Sequence, residues 1–195
     1  MNKSPRILRS QKRFPMKLPT PAIIALVFFS QFFVMPLTMS PVFADSSKEE
    51  VTRTVGSSGL PLPRFVSFRS GQVNVRAGPG IRYPISWIYH RRGLPVEIID
   101  EFDTWRQIKD WQGTQGWVHQ SMLKGQRSVM ITGALRTLYD DPDSNSRPIA
   151  QVEAGVIGEL ESCNSDDWCQ VEIKDISGWI ERSSFYGAYA EEVFD

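Results

Sequence analysis

From Phe65 onward the hydrophobic residues come in short runs set between turn residues, as in Gln72–Arg76, Leu94–Asp100, Trp105–Lys109 and Gly116–His119. Polar and apolar positions alternate within these runs. Val73 and Val75 share one face and Asn74 and Arg76 the other, while Arg106 and Ile108 lie opposite Trp105. The same rule sets Val118 inward and Trp117 outward, and puts Cys169 and Val171 opposite Trp168. No long 3.6-residue period runs through this region, so the pattern predicts compact β structure with about five strands in each folded unit.

The pattern occurs twice, at an interval of 62 to 64 residues. Pro79 answers to Pro142, Pro84-Ile85 to Pro148-Ile149, Ile88 to Val152, Ile98 to Leu160, Trp105 to Trp168 and Ile108 to Val171. Gly116-Trp117-Val118 then matches Gly178-Trp179-Ile180, followed by Ser121 with Ser183 and Leu123 with Phe185. Kept order with small drift is duplication. A unit of this size hides only about 60% of its unfolded-chain surface, so two units gain by packing together.

Ahead of the repeats, an apolar run from Ala22 to Met35 follows a basic stretch and is bounded by Pro21 and Pro36. Val42-Phe43-Ala44 then offers a cleavage site, so residues 1–44 read as an export signal cut after Ala44. The run is shorter than the roughly 20 residues of a spanning helix. Contact with the membrane is expected only if this segment stays uncleaved. No Cys follows it to take a lipid anchor. Residues 45–64 are rich in Ser, Gly, Lys and Glu and read as a flexible linker. Residues 187–195 read as a tail.

The chain balances 22 basic against 22 acidic residues, yet residues 1–44 hold six of the basic ones and no acidic one. The exported remainder therefore carries a net charge of −6. That balance argues against nucleic-acid binding, which needs cations to displace counterions from phosphates. Residues 65–125 have eight cations against five anions and residues 126–186 five against eleven, so opposite charge is one means of orienting the units. An anionic ligand on the first unit is the other reading of its charge.

Export into an oxidising compartment, the periplasm or the medium, lets Cys163 and Cys169 pair. Asn164, Ser165 and Asp166 between them supply turn chemistry that brings two strand ends together. A metal site on the same cysteines would need His90 and His119 to converge from elsewhere, and the spacing is not that of a zinc knuckle.

Asn74-Val75-Arg76-Ala77-Gly78-Pro79-Gly80, then Trp105 through Ile108, then Gly116-Trp117-Val118 resemble the bacterial SH3-like (SH3b) domain. The second unit keeps Trp168–Val171 and Gly178-Trp179-Ile180 but has Leu138-Tyr139-Asp140-Asp141-Pro142 in place of the first motif. The resemblance extends to exported Gram-negative proteins with two such domains. It implies an all-β fold of two tandem small SH3-like β-barrels, residues 65–125 and a degenerate copy over 126–186, after an N-terminal signal helix and flexible linker. It also implies a cell-envelope setting. Domains of this kind often accompany a separate Cys/His endopeptidase domain, for which this sequence leaves no stretch.

In the first motif, Gly tolerates positive φ and Pro fixes its own, so Gly78-Pro79-Gly80 predicts a tight turn. Trp105, Trp111 and Trp117 form a candidate aromatic platform, because Trp and Tyr supply large contact area at little entropy cost. Alternatively these rings cover the barrel edge or pack the units together. With Arg76 and Tyr83 they make the candidate ligand-binding set. Neither a nucleophile with its base nor a metal set emerges, since His90 sits beside Arg91-Arg92 and His119 is an outward surface position. Asp100, Glu101 and Asp103 read as loop carboxylates, as do Asp166 and Asp167. The expectation is a non-enzymatic module without cofactor that binds peptidoglycan or its peptide stems. The alternative is a periplasmic protein-interaction or scaffolding module that docks an envelope protein peptide.

Overall fold

The computed structural model describes residues 53–194. The segment 1–44 read as an export signal, the cleavage site expected after Ala44 and the first part of the stretch read as a linker lie outside these residues.

Among the described residues, sixteen short strands form two seven-stranded antiparallel sheets and one small hairpin. The hairpin is β1 (Thr54–Val55) with β2 (Pro61–Leu62). The first barrel comprises β3 (Arg64–Phe68), β4 (Val73–Arg76), β5 (Ile85–Tyr89), β6 (Pro95–Phe102), β7 (Trp105–Lys109), β8 (Gln115–His119) and β9 (Leu123–Lys124). The second comprises β10 (Ser128–Ile131), β11 (Arg136–Tyr139), β12 (Pro148–Val152), β13 (Ile157–Cys163), β14 (Trp168–Ile173), β15 (Ile176–Glu181) and β16 (Phe185–Tyr186). Strand order is β5-β4-β8-β7-β6-β3-β9 in one and β12-β11-β15-β14-β13-β10-β16 in the other, so the copies match strand for strand. Even single registers repeat: Arg76 pairs Trp117, and Tyr139 pairs Trp179. Each barrel has seven strands where the apolar runs predict about five. Two-residue strands such as β9 are too short to show alternation, and β5 is apolar on both faces.

Alternation sorts the core as expected: Val73, Val75, Ile108 and Val118 are buried in the first barrel, and Leu138, Val171 and Ile180 in the second. The Gly of each Gly-Trp-Val/Ile motif lies where the facing strand comes close. A Cβ on Gly178 would stand 3.1 Å from the Leu138 Cβ and 3.2 Å from the Tyr139 carbonyl oxygen, and one on Gly116 would run into Val75. Only a residue without a side chain lets these strands approach so closely.

The second half of the stretch read as a flexible linker is ordered. Thr54 pairs with Leu62 and Val55 with Pro61, and Leu62 joins the first core. The tether reading fails there because it weighs only local composition. The hairpin's Ser57 and Ser58 are satisfied by Glu101, a carboxylate from distant β6. The C-terminal stretch is likewise held: Cys163 and Phe194 exchange backbone hydrogen bonds of 2.9 and 3.2 Å, and Arg127 pairs with Glu192 at 2.8 Å.

The two barrels meet through aromatic and hydrogen-bonded contacts. The Phe65 ring lies 5.1 Å from Tyr186, edge-on, and 4.7 Å from Tyr189. The Tyr189 hydroxyl donates to Glu97 Oε1 at 2.9 Å, and the Tyr186 hydroxyl to the Lys109 carbonyl at 3.1 Å. Ser128 Oγ donates to the Gly93 carbonyl at 2.7 Å, and Arg91 Nη2 reaches the Gly155 carbonyl at 2.7 Å.

Candidate functional site

Arg76 ends β4 on the outer face, and its guanidinium turns back onto the loop that follows. Nη1 donates to the carbonyls of Ile81 at 3.1 Å and Tyr83 at 2.7 Å, which closes the loop against the strand. Ala77 N donates to the Pro84 carbonyl at 3.0 Å and completes the closure. Gly78 and Gly80 are not among the positive-φ glycines, so backbone freedom is not what the turn asks of them. Space is the requirement at Gly78. A Cβ there would lie 2.6 Å from Tyr83 ring carbons, which shows that this ring rests directly on the turn.

Beside the clamped loop lies an open groove of about 290 Å³ lined by Asn74, Arg76, Ile81, Trp105, His119 and Met122, with Gln72 at β4's start. Trp105 and His119 are register partners on β7 and β8, and their rings meet edge-on at 5.6 Å. His119 Nδ1 accepts from the Ser121 backbone N–H at 3.3 Å and lies 2.7 Å from Ser121 Oγ, capping the 3-10 turn Gln120–Met122. In the neutral ring this leaves the proton on Nε2.

Of the candidates read from the sequence, Arg76 and Trp105 line the groove. Trp117 shares their face, paired with both Arg76 and Gln107 and therefore diagonal to Trp105. Tyr83 supports the loop, with the Arg82 guanidinium 5.5 Å from its ring. Trp111 lies elsewhere, in the turn beyond the far end of β7 from Trp105. That turn is built by Asp110, which is buried and accepts from the backbone of Gln112 at 2.9 Å and Thr114 at 2.8 Å. The three-tryptophan platform is therefore a pair, because strand alternation stops at the end of β7 and Trp111 follows the turn instead. His119, read from the sequence only as an outward surface position, and Ile81, which that reading did not name, also line the groove. Alternation already places His119 with Trp117 and Trp105, whereas Ile81 sits in a loop where no period applies.

The second barrel lacks an equivalent groove residue at Arg76: Tyr139 stands there and packs edge-on against Trp168 at 5.7 Å. Glu181 takes the place of His119. A different cleft, about 520 Å³, is lined there by Asp166, Asp167, Trp168, Glu181 and Arg182. Arg182 is committed to structure, donating to the carbonyls of Tyr189, Glu192 and Asn164 at 2.6, 2.6 and 3.1 Å.

Cys163 and Cys169 form a disulfide across β13 and β14, which removes the thiolates a metal site on them would need. Among the described residues no group of three or more His, Cys, Asp and Glu is arranged to hold a metal. No helix among them is long and apolar enough to cross a membrane.

Comparison with known proteins places this geometry. The Bacillus subtilis (strain 168) protein named "Putative N-acetylmuramoyl-L-alanine amidase YrvJ" is 27% identical over 119 residues, 56% of this chain. The chain spans only 23% of that relative's length. Two solved structures from Trichomonas vaginalis, NlpC2 and NlpC1, align over 66% and 70% of this chain and 48% and 50% of their own. Their identities of 13% and 12% and TM-scores of 0.30 and 0.29 carry no structural argument. The bacterial SH3 domain profile matches residues 69–125 and again 133–187, one match to each barrel. With both repeats and more than half of its length matched, the chain belongs to the bacterial SH3 domain family and carries two copies of that domain in tandem.

Proposed function

We propose that this protein is an exported, non-enzymatic module that binds cell-wall peptidoglycan or its peptide stems through the first-barrel groove. One observation carries the reading. Of two barrels with the same strand order, the first presents Arg76, Trp105 and His119 along an open groove, while in the second Tyr139 packs onto the equivalent tryptophan. The Trp105 face suits the apolar side of a sugar or peptide at little entropy cost. Arg76 uses Nη1 for its own loop, and its other N–H groups suit a stem-peptide carboxylate. The relative named as an amidase of muramoyl-alanine supports a wall ligand, and the disulfide suits the periplasm or the medium.

Co-sedimentation of the oxidised exported chain, residues 45–195, with isolated sacculi tests the reading. The expected result is saturable binding that persists at physiological salt and weakens about tenfold, one lost hot-spot ring, in Trp105→Ala. Trp105 is half-buried on the outer face, so the variant should keep its melting temperature to within a few degrees. Absence of binding by the native chain would overturn the proposal.

A further inference from the structure

A run of exposed apolar side chains in the first barrel lies outside the groove, on edge strand β5. This strand ends its sheet, so every second residue turns its backbone N–H and C=O away from β4 with no strand to meet them. Its side chains are equally uncovered: Trp87 is 56% exposed, Ile88 47% and Ile85 43%. Natural sheets blunt such edges with charge, proline or shortness. The three other ends of the seven-stranded sheets do so. β9 and β16 are two residues long, and β12 begins with Pro148 and, by register, carries Ala150 where β5 carries Trp87 and Gln151 where it carries Ile88. Only β5 offers five residues with neither a charge nor a proline.

Its flanks identify the occupant. Arg82 precedes the strand and His90-Arg91-Arg92 follow it, all of them exposed. Self-pairing about Trp87 in a twofold dimer would bring Arg82 of one copy toward Arg92 of the other, and like charges placed opposite are destabilising. A strand with an apolar centre and acidic ends meets the same edge with complementary charge at both flanks.

We propose that the β5 edge is a docking site for an extended segment of a partner protein, added as an eighth strand, with apolar residues at alternate positions and carboxylates at its ends. Backbone hydrogen bonds along β5 supply part of the affinity, and Trp87 and Ile88 anchor side chains on the two faces. The surface is separate from the wall-binding reading, because neither Trp87 nor Ile88 lines the groove.

The probe is a labelled nonapeptide of alternating Val and Thr with two Asp at each end, followed by fluorescence anisotropy. Saturable binding is expected, at least tenfold weaker for the double variant Trp87→Lys, Ile88→Lys. Both side chains are exposed, so that variant should melt with the native protein. Binding should also weaken at least tenfold when the terminal Asp residues become Lys, or when the peptide's backbone amides that face β5 are N-methylated. Trp105→Ala should leave it unchanged. Failure of the acidic peptide to bind, equal binding by the double variant, or loss of binding in Trp105→Ala would each overturn the proposal. So would a native dimer that the double variant converts to monomer, which would give the edge to a second copy of this chain.

Discussion

Glu101 lies with its side chain 1% exposed among donors from three separate segments: Ser57 and Ser58 of the hairpin, Arg64 at 2.6 Å and Arg106 at 3.2 Å. Burial alone would raise its pKa, but the Ser58 backbone N–H, the Arg64 guanidinium and the Ser58 hydroxyl outweigh it and hold the carboxyl at about 2. An unfolded glutamate titrates near ~4.3. The unfolded chain therefore binds more protons between those values, so the stabilisation is complete above about pH 4.3 and is lost as pH falls toward 2. Glu101→Gln is expected to lower the urea midpoint at neutral pH and to flatten the acid limb of the stability curve. An acid limb as steep as the native one would refute this role. From the sequence, Glu101 is one of three carboxylates in a loop. Its neighbours in the chain give little sign of its role, because, Arg106 aside, the groups that hold it lie 37 to 44 residues away.

At the scale of elements, the duplicated strands were legible because alternation and the Gly-Trp pair mark each copy at equal spacing. Two elements were not. The β1–β2 hairpin has strands of only two residues and is fixed by Glu101, and β5 shows no inside and outside because most of it remains exposed. The β13–β14 turn was readable in advance. Asn164 Oδ1 accepts from the backbone of Asp166 and Trp168, both at 3.0 Å, and sets Cys163 opposite Cys169. So short a closed loop contributes about 2 kcal/mol in the chain-entropy model. Reduction is expected to lower unfolding free energy by about that amount, read as a shift in urea midpoint at constant m-value. Equal midpoints for the oxidised and reduced chains would show that the bond does not constrain the unfolded state.

At the scale of the whole molecule, the seam between the barrels depends on tyrosines that the sequence left at the margin. Tyr186 closes the second repeat, and Tyr189 falls in the stretch read as a tail. Both pack on Phe65, and Tyr189 donates to buried Glu97. Burial first, then the charge of Glu97, pushes both phenols well above the ordinary range. Within the first barrel, burial and the Asp110 carboxylate, 2.6 Å from the hydroxyl, do the same to Tyr89. The folded chain thus keeps three protons that the unfolded chain releases above about pH 10. Their contribution is whole below that pH and falls away as pH rises toward the folded values. Alkaline titration is therefore expected to unfold both barrels in one transition, with three phenols ionising in step with loss of the β signal in circular dichroism. Tyr189→Phe should remove one of the three and lower neutral stability, because it leaves Glu97 without the hydroxyl. If Tyr186 and Tyr189 instead ionise near pH 10 while the β signal persists, the seam is open to water and the barrels are not held together by these rings.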